Sequence, residues 1–389
     1  MLRIRQQIVQ AVGSTPLRFG EIIRHCRGAY PTTVAGALKI LEPKLVTDTA
    51  KTFTAFAHEE RSPTIPGSRL SEIEGNPVLS SWYFTLESCR RIEKLRDWSQ
   101  AHIAFLGTPR LYEWFASRRI GRSRLLIELD SLVVSSLREL DTQGNEVIQH
   151  DIHTNIPENL RGRVDFVIFD PPWYPGEYEI WIDRATRLAH GGTLCFSLFP
   201  ELTRPEAPAQ REHILAYLKE RANSVCCISD CLEYEIPSFE RQQLVASGII
   251  GLGPWKLSDL ILCRVSDPVG VTDEAEFLPT AANWTEIDIG KLRIFVNLDG
   301  NFESRLSFVR CATDNSIVLP SPSHRDEAHS AANVLTSRGH GLICSEPGTL
   351  VHILENCRLA HAEGTPVYHE VEKLTIDSPS KSLLKSLLS

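Results

Sequence analysis

The chain has 389 residues, of which 42% are hydrophobic and 8% aromatic, and this length and composition allow two or three globular domains. Its formal net charge of −8 excludes a uniformly basic protein of the kind that coats nucleic acid. The charge is uneven, because residues 1–58 carry eight Lys and Arg against three Asp and Glu. The first residues, MLRIRQQIVQAVG, lack the apolar run of a signal peptide, and no later stretch reaches the ~18 apolar residues of a membrane span. The sequence therefore predicts a cytoplasmic protein without a membrane partner.

Residues 1–58 are predicted to form a winged helix-turn-helix. Apolar residues recur at helical spacing over residues 2–13 and about 18–26, and a third helix is predicted to begin at Thr32 or Thr33. Two short alternating runs at 45–56, LVTDTAKTFTAF, predict a hairpin. The excess of basic residues makes contact with RNA or DNA one interpretation of this segment. The third helix carries only one basic residue, Lys39. The other interpretation of this segment is therefore a helical module for protein docking or dimerisation.

The next two segments are predicted to be a linker and the main domain. Residues 59–77 are polar and contain proline and glycine, as linkers do. From 78 to 266, short apolar runs alternate with amphipathic segments, which predicts an α/β domain with a parallel sheet covered by helices on both faces. The leading strands of that sheet are predicted at 102–107, 124–130, 146–152 and 164–170.

Residues 267–389 are predicted to form a C-terminal α+β extension of unknown role. The run KLRIFVNLDGNFESRLSFVR at 291–310 predicts a hairpin, and TLVHILENCRLAHAEG at 349–364 predicts a helix. The last residues, 378–389, are predicted to be a frayed or docking tail. Such an extension could bind a protein partner or form a homodimer.

The fourth leading strand ends in FDPPW, at residues 169–173. Pro171 and Pro172 have no N–H to donate and each fixes its own φ, so the strand must end there. The Asp170 carboxylate, the proline carbonyls and the flat Trp173 ring are then held at the carboxyl edge of the sheet. Ligands of open parallel sheets bind at this edge.

The ends of the other leading strands carry groups that suit an adenosine-bearing cofactor. LGTPR at 106–110 follows the first strand and opens a helix, whose N-terminus can face a carboxylate or another polar group. Glu128 and Asp130 follow the second strand, where an acid can bind ribose hydroxyls, and Asp151 follows the third, within reach of a purine amino group. The glycine-rich turn that approaches a pyrophosphate is missing from the sequence, as is a P-loop, so S-adenosylmethionine (SAM) fits better than NAD or ATP.

FDPPW also suggests a reaction. The Asp170 carboxylate and the Pro171 carbonyl would accept both N–H bonds of an exocyclic amino group and restrain its lone pair towards the SAM methyl group. Trp173 would stack on the flat face of the acceptor, a contact worth ~1–3 kcal/mol. A turn that simply ends the strand is the alternative interpretation. The cysteines at 226, 227 and 231 lack the second pair of a zinc site, so no metal is predicted.

The stretches IAFLGTPRLYEWF, LLIELD, QHDI, DFVIFDPPW and SLFP resemble the N6-adenine methyltransferase-like family, over residues 76 to about 265. NPVLSSWYFTLES is similar to that family's aromatic segment before the first strand. The resemblance implies a Rossmann-like class I methyltransferase domain over 78–266 with SAM as its cofactor, although the family's usual Phe is replaced here by Trp173. The resemblance implies SAM contacts from Leu106, Gly107, Thr108, Pro109, Arg110, Glu128, Asp130, Asp151 and Ile152; amine positioning by Asp170, Pro171, Pro172 and Trp173; and acceptor contacts from Trp82, Tyr83, Tyr174, Phe199 and Pro200.

The predicted winged helix also resembles part of a different enzyme, the branched-chain polyamine synthase. That enzyme joins such a domain to a Rossmann domain with a D-D-P-P-like motif and uses decarboxylated SAM. Glu233, Glu235 and Glu240, together with Tyr234, follow the sixth strand, where an acceptor would lie. Acids there suit a polyamine or a lysine and oppose a phosphate backbone, and a solvated loop is the alternative.

The predicted function is SAM-dependent N-methyl transfer, with adenine N6 of RNA or DNA as the first acceptor. Transfer of a methyl or aminopropyl group to an amino group of a protein lysine or a polyamine is the second interpretation, and a non-catalytic SAM-binding scaffold is the third. If nucleic acid is the substrate, the basic side chains of Arg24, Arg27, Lys39 and Lys51 should share a face with FDPPW.

Overall fold

A computed structural model describes residues 2–12, 17–41, 67–140, 142, 144–189, 191–265, 283–299, 307–313, 316–321, 323–324 and 326–389. The described residues form two compact units. The first lies within Met1–Ser71, Tyr83–Ile236 and Ile249–Pro279. The second lies within Glu72–Trp82, Pro237–Gly248 and Thr280–Ser389, so it includes two short segments from within the predicted linker and main domain.

Three helices begin the first unit: α1 (Leu2–Val12), α2 (Phe19–His25) and α3 (Pro31–Leu41). They pack through one apolar face each, with Ile8, Ile22 and Val34 almost fully buried. The predicted helices of the N-terminal segment are confirmed. The predicted hairpin at 45–56 and most of the predicted linker lie outside the described residues.

A seven-stranded sheet forms the centre of the first unit, in the order β3-β2-β1-β4-β5-β7-β6. Strands β1 to β5 are parallel, and β7 runs antiparallel to both of its neighbours. This mainly parallel sheet confirms the predicted Rossmann-like α/β class. The strands are β1 (His102–Leu106), β2 (Ser123–Glu128), β3 (Asn145–Gln149), β4 (Phe166–Phe169), β5 (Thr193–Leu198), β6 (Ala222–Glu233) and β7 (Leu257–Val265).

Helices alternate with these strands because each amphipathic segment buries an apolar stripe against the sheet. A continuous core runs between sheet and helices and includes Leu106, Phe169, Trp181 and Phe196. β4 follows β3 in the chain yet pairs with β1, which creates a switch point between β1 and β4. The helices are α4 (Leu86–Glu93), α5 (Pro109–Ser117), α6 (Ser131–Leu137), α7 (Glu177–Ala189) and α8 (Ala207–Lys219).

The second unit contains a five-stranded sheet in the order β10-β12-β11-β9-β8, with antiparallel pairing throughout. Its strands are β8 (Trp284–Ile289), β9 (Leu292–Asn297), β10 (Val309–Cys311), β11 (Val334–Thr336) and β12 (Gly341–Cys344). Its helices are α9 (Ser238–Ala246), α10 (Glu327–Ala331), α11 (Pro347–Ala362), α12 (Tyr368–Glu372) and α13 (Ser378–Leu388).

The hairpin predicted at 291–310 was wrong. β9 exists, but it pairs with β8 and β11, while β10 pairs with β12. Residues 378–389, predicted to be a frayed or docking tail, dock on the core: most of them form helix α13, which begins at an Asp377 cap and buries Leu384 and Leu387. The helix predicted at 349–364 is confirmed as α11. Among the described helices, none has the length and apolarity to cross a membrane.

Candidate active site

The carboxyl ends of β1 and β4 lie side by side, because Leu106 at the end of β1 pairs with Phe169 at the end of β4. The residues that follow them, Gly107 and Asp170, therefore open onto the same edge at the switch point. Polar residues predicted at the ends of four strands are thus brought to one edge of one sheet. This edge is the candidate site.

The turn after β1 requires glycine. Gly107 has φ +57°, and a Cβ at this position would lie 2.8 Å from Cη2 of Trp181. Trp181 is buried on α7, where its indole N–H donates to Glu177 over 3.1 Å. Thr108 and Pro109 follow, and Pro109 is the first residue of α5, so the N-terminus of this helix adjoins the turn.

Glu128 and Asp130, the two acids after β2, have different roles. Asp130 is buried and caps α6, since its Oδ1 accepts the N–H groups of Leu132 and Val133 over 3.1 and 3.3 Å. Glu128 is partly exposed, and its Oε1 accepts the N–H groups of Leu129 and Asp130 over 2.8 and 3.0 Å. Glu128 is therefore the better placed of the two to meet a ribose hydroxyl.

A charged network lies after β3. Asp151 Oδ1 accepts from the backbone N–H of His153 over 2.9 Å and contacts its ring Nδ1 at 2.8 Å. The other ring nitrogen of His153 lies 3.1 Å from Glu177, the residue that also holds Trp181. These hydrogen bonds to Asp151 and Glu177 raise the pKa of His153 to about 9, against the opposing effect of burial. A protonated imidazole thus joins the loop after β3 to helix α7.

The charge on His153 should stabilise the fold at neutral pH. Because its folded-state pKa is raised, the contribution is complete below its unfolded pKa and is lost as pH rises through about 9. Between pH 7 and pH 10 this group should remove about 2 to 3 kcal/mol from the free energy of unfolding. We expect His153→Gln to be less stable at pH 7 and to lose correspondingly less on going to pH 10, as measured by urea unfolding at both values.

An exposed histidine provides the matched control. His213 contacts Glu179 over 3.0 Å, but its side chain is 69% exposed. His213→Gln should therefore follow the wild-type pH dependence. Equal pH dependence for His153→Gln and wild type would contradict the role of the buried pair.

Asp170, directly after β4, is held by two hydroxyl groups. Tyr234 donates to its Oδ1 over 2.8 Å, and Ser197 on the neighbouring strand β5 donates to the same oxygen. Among the described residues, both of these side-chain bonds reach Oδ1. Burial raises the pKa of Asp170 to about 6, although the hydrogen bond from Ser197, the positive charge of Lys256 and the hydrogen bond from Tyr234 all act to lower it.

Trp173 lies close to Asp170 in a cluster of aromatic rings. Its ring meets Tyr234 edge-on with centroids 5.8 Å apart and tilts against Phe199 at 6.2 Å. The ammonium group of Lys256 lies 4.2 Å from the Trp173 centroid. Trp173 and the neighbouring Tyr174 are both partly exposed, while Pro171 is buried and Pro172 partly so. The predicted residues Asp170, Trp173, Phe199 and Tyr234 therefore come together.

Several other predicted site residues are held in internal contacts. Arg110 is buried, pairs with Glu113 and Glu235 over 3.4 and 3.3 Å, and lies over the ring of Tyr83. Ile152 is part of the core of the first unit. Trp82 lies in the second unit, where its ring meets Phe239 edge-on, and Glu240 is buried in that unit.

Basic residues of the N-terminal helices pair with acids of the sheet. Arg24 contacts Glu233 over 3.2 Å, and Arg27 contacts Asp230 over 2.7 Å and the buried Asp259 over 2.9 Å. Two of the four side chains expected to face nucleic acid are thus engaged within the protein, and a third, Lys51, lies outside the described residues.

The N-terminal segment also lies close to Pro200, one of the residues predicted to contact the acceptor. Gly28 has φ +83°, and a Cβ there would meet Thr203 at 2.6 Å and Pro200 at 3.0 Å. Asp259 also accepts from Arg211 over 2.7 Å, and Arg211 donates to the carbonyl of Phe199. The N-terminal helices therefore help to hold Phe199–Pro200.

Sequence reasoning missed Ser197, Lys256 and the His153–Glu177 pair. Ser197 is the first residue of SLFP at 197–200, and its hydrogen bond to Asp170 depends on β5 lying beside β4. Lys256 precedes an antiparallel strand, whose start lies at the same edge as the ends of the parallel strands. No motif spacing marks either residue.

Comparison with known proteins gives a match to one family model and matches to many solved structures. Residues 76–197 match the family model described as "Probable N6-adenine methyltransferase". No curated protein matches the sequence. The branched-chain polyamine synthase from Thermus thermophilus, in complex with N4-aminopropylspermidine and 5'-methylthioadenosine, is 14% identical, with a TM-score of 0.54 over 72% of this chain and 91% of that one. Its C9 mutein, with the same two ligands, gives 15% identity and a TM-score of 0.55 over the same shares. At these identities the structural similarity establishes a shared fold.

Proposed function

We propose that this chain, whose residues 76–197 match the family model described as "Probable N6-adenine methyltransferase", is a SAM-dependent methyltransferase that methylates the exocyclic N6 amino group of adenine in RNA or DNA. The observation that carries the proposal is the arrangement at the end of β4. Asp170 has one carboxylate oxygen engaged by Tyr234 and Ser197, and it lies beside the partly exposed ring of Trp173. A flat ring that bears an amino group suits both features.

The strand ends at the edge of the sheet fit SAM. The turn at Gly107 carries no side chain, and the N-terminus of α5 can face the amino-acid carboxylate of SAM. Glu128 would accept from the ribose hydroxyls, and Asp151 would meet the adenine amino group. Bound SAM supplies a methyl group on a sulfonium, which is transferred by in-line displacement.

Asp170 would position the acceptor nitrogen for that displacement. The lone pair of an aryl amine is delocalised into its ring, which makes the nitrogen a weak nucleophile. If Oδ2 of Asp170 and the Pro171 carbonyl each accept one N–H, the lone pair is directed towards the methyl group. With a pKa of about 6, Asp170 is ionised at neutral pH and can also take the proton that the methylated nitrogen then loses.

Transfer of an aminopropyl group to an amino group of a polyamine is the second candidate. In its favour, the structural match to the polyamine synthase covers 72% of this chain, so an enzyme with this reaction has the same fold. The acids that suggested a cationic acceptor are engaged, however, since Glu233 pairs with Arg24 and Glu235 pairs with Arg110. Contact of nucleic acid with the N-terminal helices, and of a protein partner or second copy with the C-terminal segment, stay predictions.

Label transfer from SAM labelled in its methyl group, with a parallel assay that uses decarboxylated SAM labelled in its aminopropyl group, should decide between the two. We expect label in RNA or DNA oligonucleotides, recovered after nuclease digestion as N6-methyladenine, and none in spermidine. Parallel titrations with S-adenosylhomocysteine and decarboxylated SAM should show binding of the former. Preference for decarboxylated SAM with product on spermidine would replace the proposal by the polyamine reaction.

A further inference from the structure

Glu177, the first residue of helix α7, contacts two side chains that lead to different parts of the proposed cofactor site. Its Oε2 lies 3.1 Å from the ring Nε2 of His153, in the loop after β3. The same oxygen accepts the indole N–H of Trp181, one helical turn later, over 3.1 Å. Both partners are buried and the Glu177 side chain is only 17% exposed, so solvent screens these contacts weakly.

The contact with His153 leads to the adenine end of the cofactor. The backbone N–H and the ring Nδ1 of His153 both meet Oδ1 of Asp151, over 2.9 and 2.8 Å. Asp151 is the residue proposed to accept the adenine amino group. Two contacts to one oxygen restrain the rotation of the Asp151 carboxylate, and Glu177 restrains the His153 ring in turn. The orientation of Asp151 therefore depends on a residue of α7.

The contact with Trp181 leads to the turn after β1. Cη2 of Trp181 would lie 2.8 Å from a Cβ on Gly107, so the indole ring packs directly on the backbone of this turn. The ring also stacks on Phe169, with centroids 6.5 Å apart. Gly107 lies shortly before α5, whose N-terminus is proposed to face the amino-acid carboxylate of SAM. Glu177 thus orients the ring that supports this turn.

We propose that Glu177 is a positioning residue of the cofactor site, which holds the Asp151 loop and the Gly107 turn in one fixed geometry. SAM would meet both parts, with its adenine at Asp151 and its amino-acid end at the turn. The inference rests on the SAM-binding part of the proposed function and goes beyond it, because Glu177 acts on the cofactor only through other residues. The competing explanation is that Glu177 stabilises the fold alone.

Three ligands report on the two parts of the site separately. Calorimetric titrations would use S-adenosylhomocysteine, its deamino analogue, in which hydrogen replaces the adenine amino group, and 5'-methylthioadenosine, which lacks the amino-acid end. We expect the wild-type protein to bind each of the two incomplete ligands at least about tenfold more weakly than S-adenosylhomocysteine, because polar groups of the site then lose their partners. These two ratios of dissociation constants are the adenine preference and the amino-acid preference.

Substitutions at Glu177 test its role. Glu177→Met keeps the length of the side chain and removes both acceptor oxygens, so both preferences should fall below about threefold. Glu177→Gln keeps an oxygen that can accept from both partners and should retain most of each preference. Glu179→Met is the matched control, because Glu179 lies on the same helix and contacts a histidine, the exposed His213. Both preferences should be unchanged in this control.

Two further variants divide the effect between the two paths. His153→Gln interrupts the path to Asp151 and should lower the adenine preference alone. Trp181→Phe removes the indole N–H and the outer ring and should lower the amino-acid preference alone. Urea unfolding identifies conditions in which each variant is folded, and these two variants carry the test if Glu177→Met does not fold.

The proposal is overturned if either preference survives in Glu177→Met, or if Glu179→Met loses them to the same extent. It is also overturned if His153→Gln and Trp181→Phe each lower both preferences or neither, if the wild-type protein lacks either preference, or if S-adenosylhomocysteine does not bind. Failure of the proposed function has a different signature, because label from SAM would not reach adenine of RNA or DNA while the two preferences still changed as expected.

Discussion

Replacing Asp170 with asparagine is expected to lower the turnover number by about 100- to 1,000-fold, the size of effect seen when one transition-state hydrogen-bonding group is removed. The amide has nearly the same shape and can still accept from Tyr234, but its NH₂ group would face the substrate amine where Oδ2 now lies. The dissociation constant for S-adenosylhomocysteine should stay within about threefold, because the contribution of Asp170 is made in the transition state. Single-turnover label transfer and calorimetry measure the two quantities.

Asp165→Asn is the matched control for this substitution. Asp165 precedes the same strand β4 at its opposite end, where it accepts the backbone N–H of His102 over 2.9 Å. Asp165→Asn should therefore leave the turnover number unchanged. A parallel loss of cofactor binding in Asp170→Asn would show that Asp170 supports the fold of the site and does not position the amine.

The pH dependence of turnover provides a second measurement on Asp170. An ionised carboxylate is needed to accept the amine N–H, so the rate should rise with pH through about 6 and then level off. Tyr234 lowers the pKa of Asp170 through its hydrogen bond, so Tyr234→Phe should move this rise to higher pH. If the rate of Tyr234→Phe rises at the same pH as that of the wild type, the rise belongs to the titration of a group other than Asp170.

Gly107→Ala is expected to lower the free energy of unfolding by about 2 to 4 kcal/mol, as backbone strain and overpacking act together. Its φ of +57° disfavours a side chain, and the new Cβ would lie 2.8 Å from a Trp181 ring that is fixed by Glu177 and by packing on Phe169. Displacement of the turn should also lower the affinity for S-adenosylhomocysteine by more than about tenfold. Urea unfolding and calorimetry would measure both effects.

Gly176→Ala separates strain from collision. Gly176 has φ +83°, but a Cβ there would meet no atom within 4 Å, so only the backbone cost of about 1 kcal/mol is expected. Adding Trp181→Phe to Gly107→Ala removes the outer ring and should restore part of the lost stability. Equal effects of the two alanine substitutions would rule out the Trp181 contact as the cause.

The sequence could locate the candidate site because its chemistry lies at strand ends. Alternating apolar runs predicted β1 to β4, two prolines marked where β4 stops, and parallel strands bring their carboxyl ends to one edge. The same reasoning could not distinguish Glu128 from Asp130, because helix capping depends on the local path of the chain. Arg110 was assigned to the cofactor, but it pairs with Glu235, 125 positions away.

Contacts between distant segments account for most of what the sequence left open. Arg27 meets acids more than 200 positions later, so the basic character of the N-terminal segment could not show whether its charges face solvent. Ser197 and Lys256 reach Asp170 only because β5 lies beside β4 and β7 runs antiparallel to β5. Strand order, rather than any local pattern, determines these neighbours.

The close approach of Gly28 to Pro200 bears on how such a chain can evolve. A recombination event that exchanged the N-terminal helices for another module would have to supply a residue without a side chain at position 28, where a Cβ would lie 3.0 Å from Pro200. Without such a residue, the segment could not pack closely on Pro200, and the position of Phe199–Pro200 beside Trp173 would change. The N-terminal helices and the seven-stranded sheet are therefore expected to be inherited together, so the inherited unit is larger than residues 76–197.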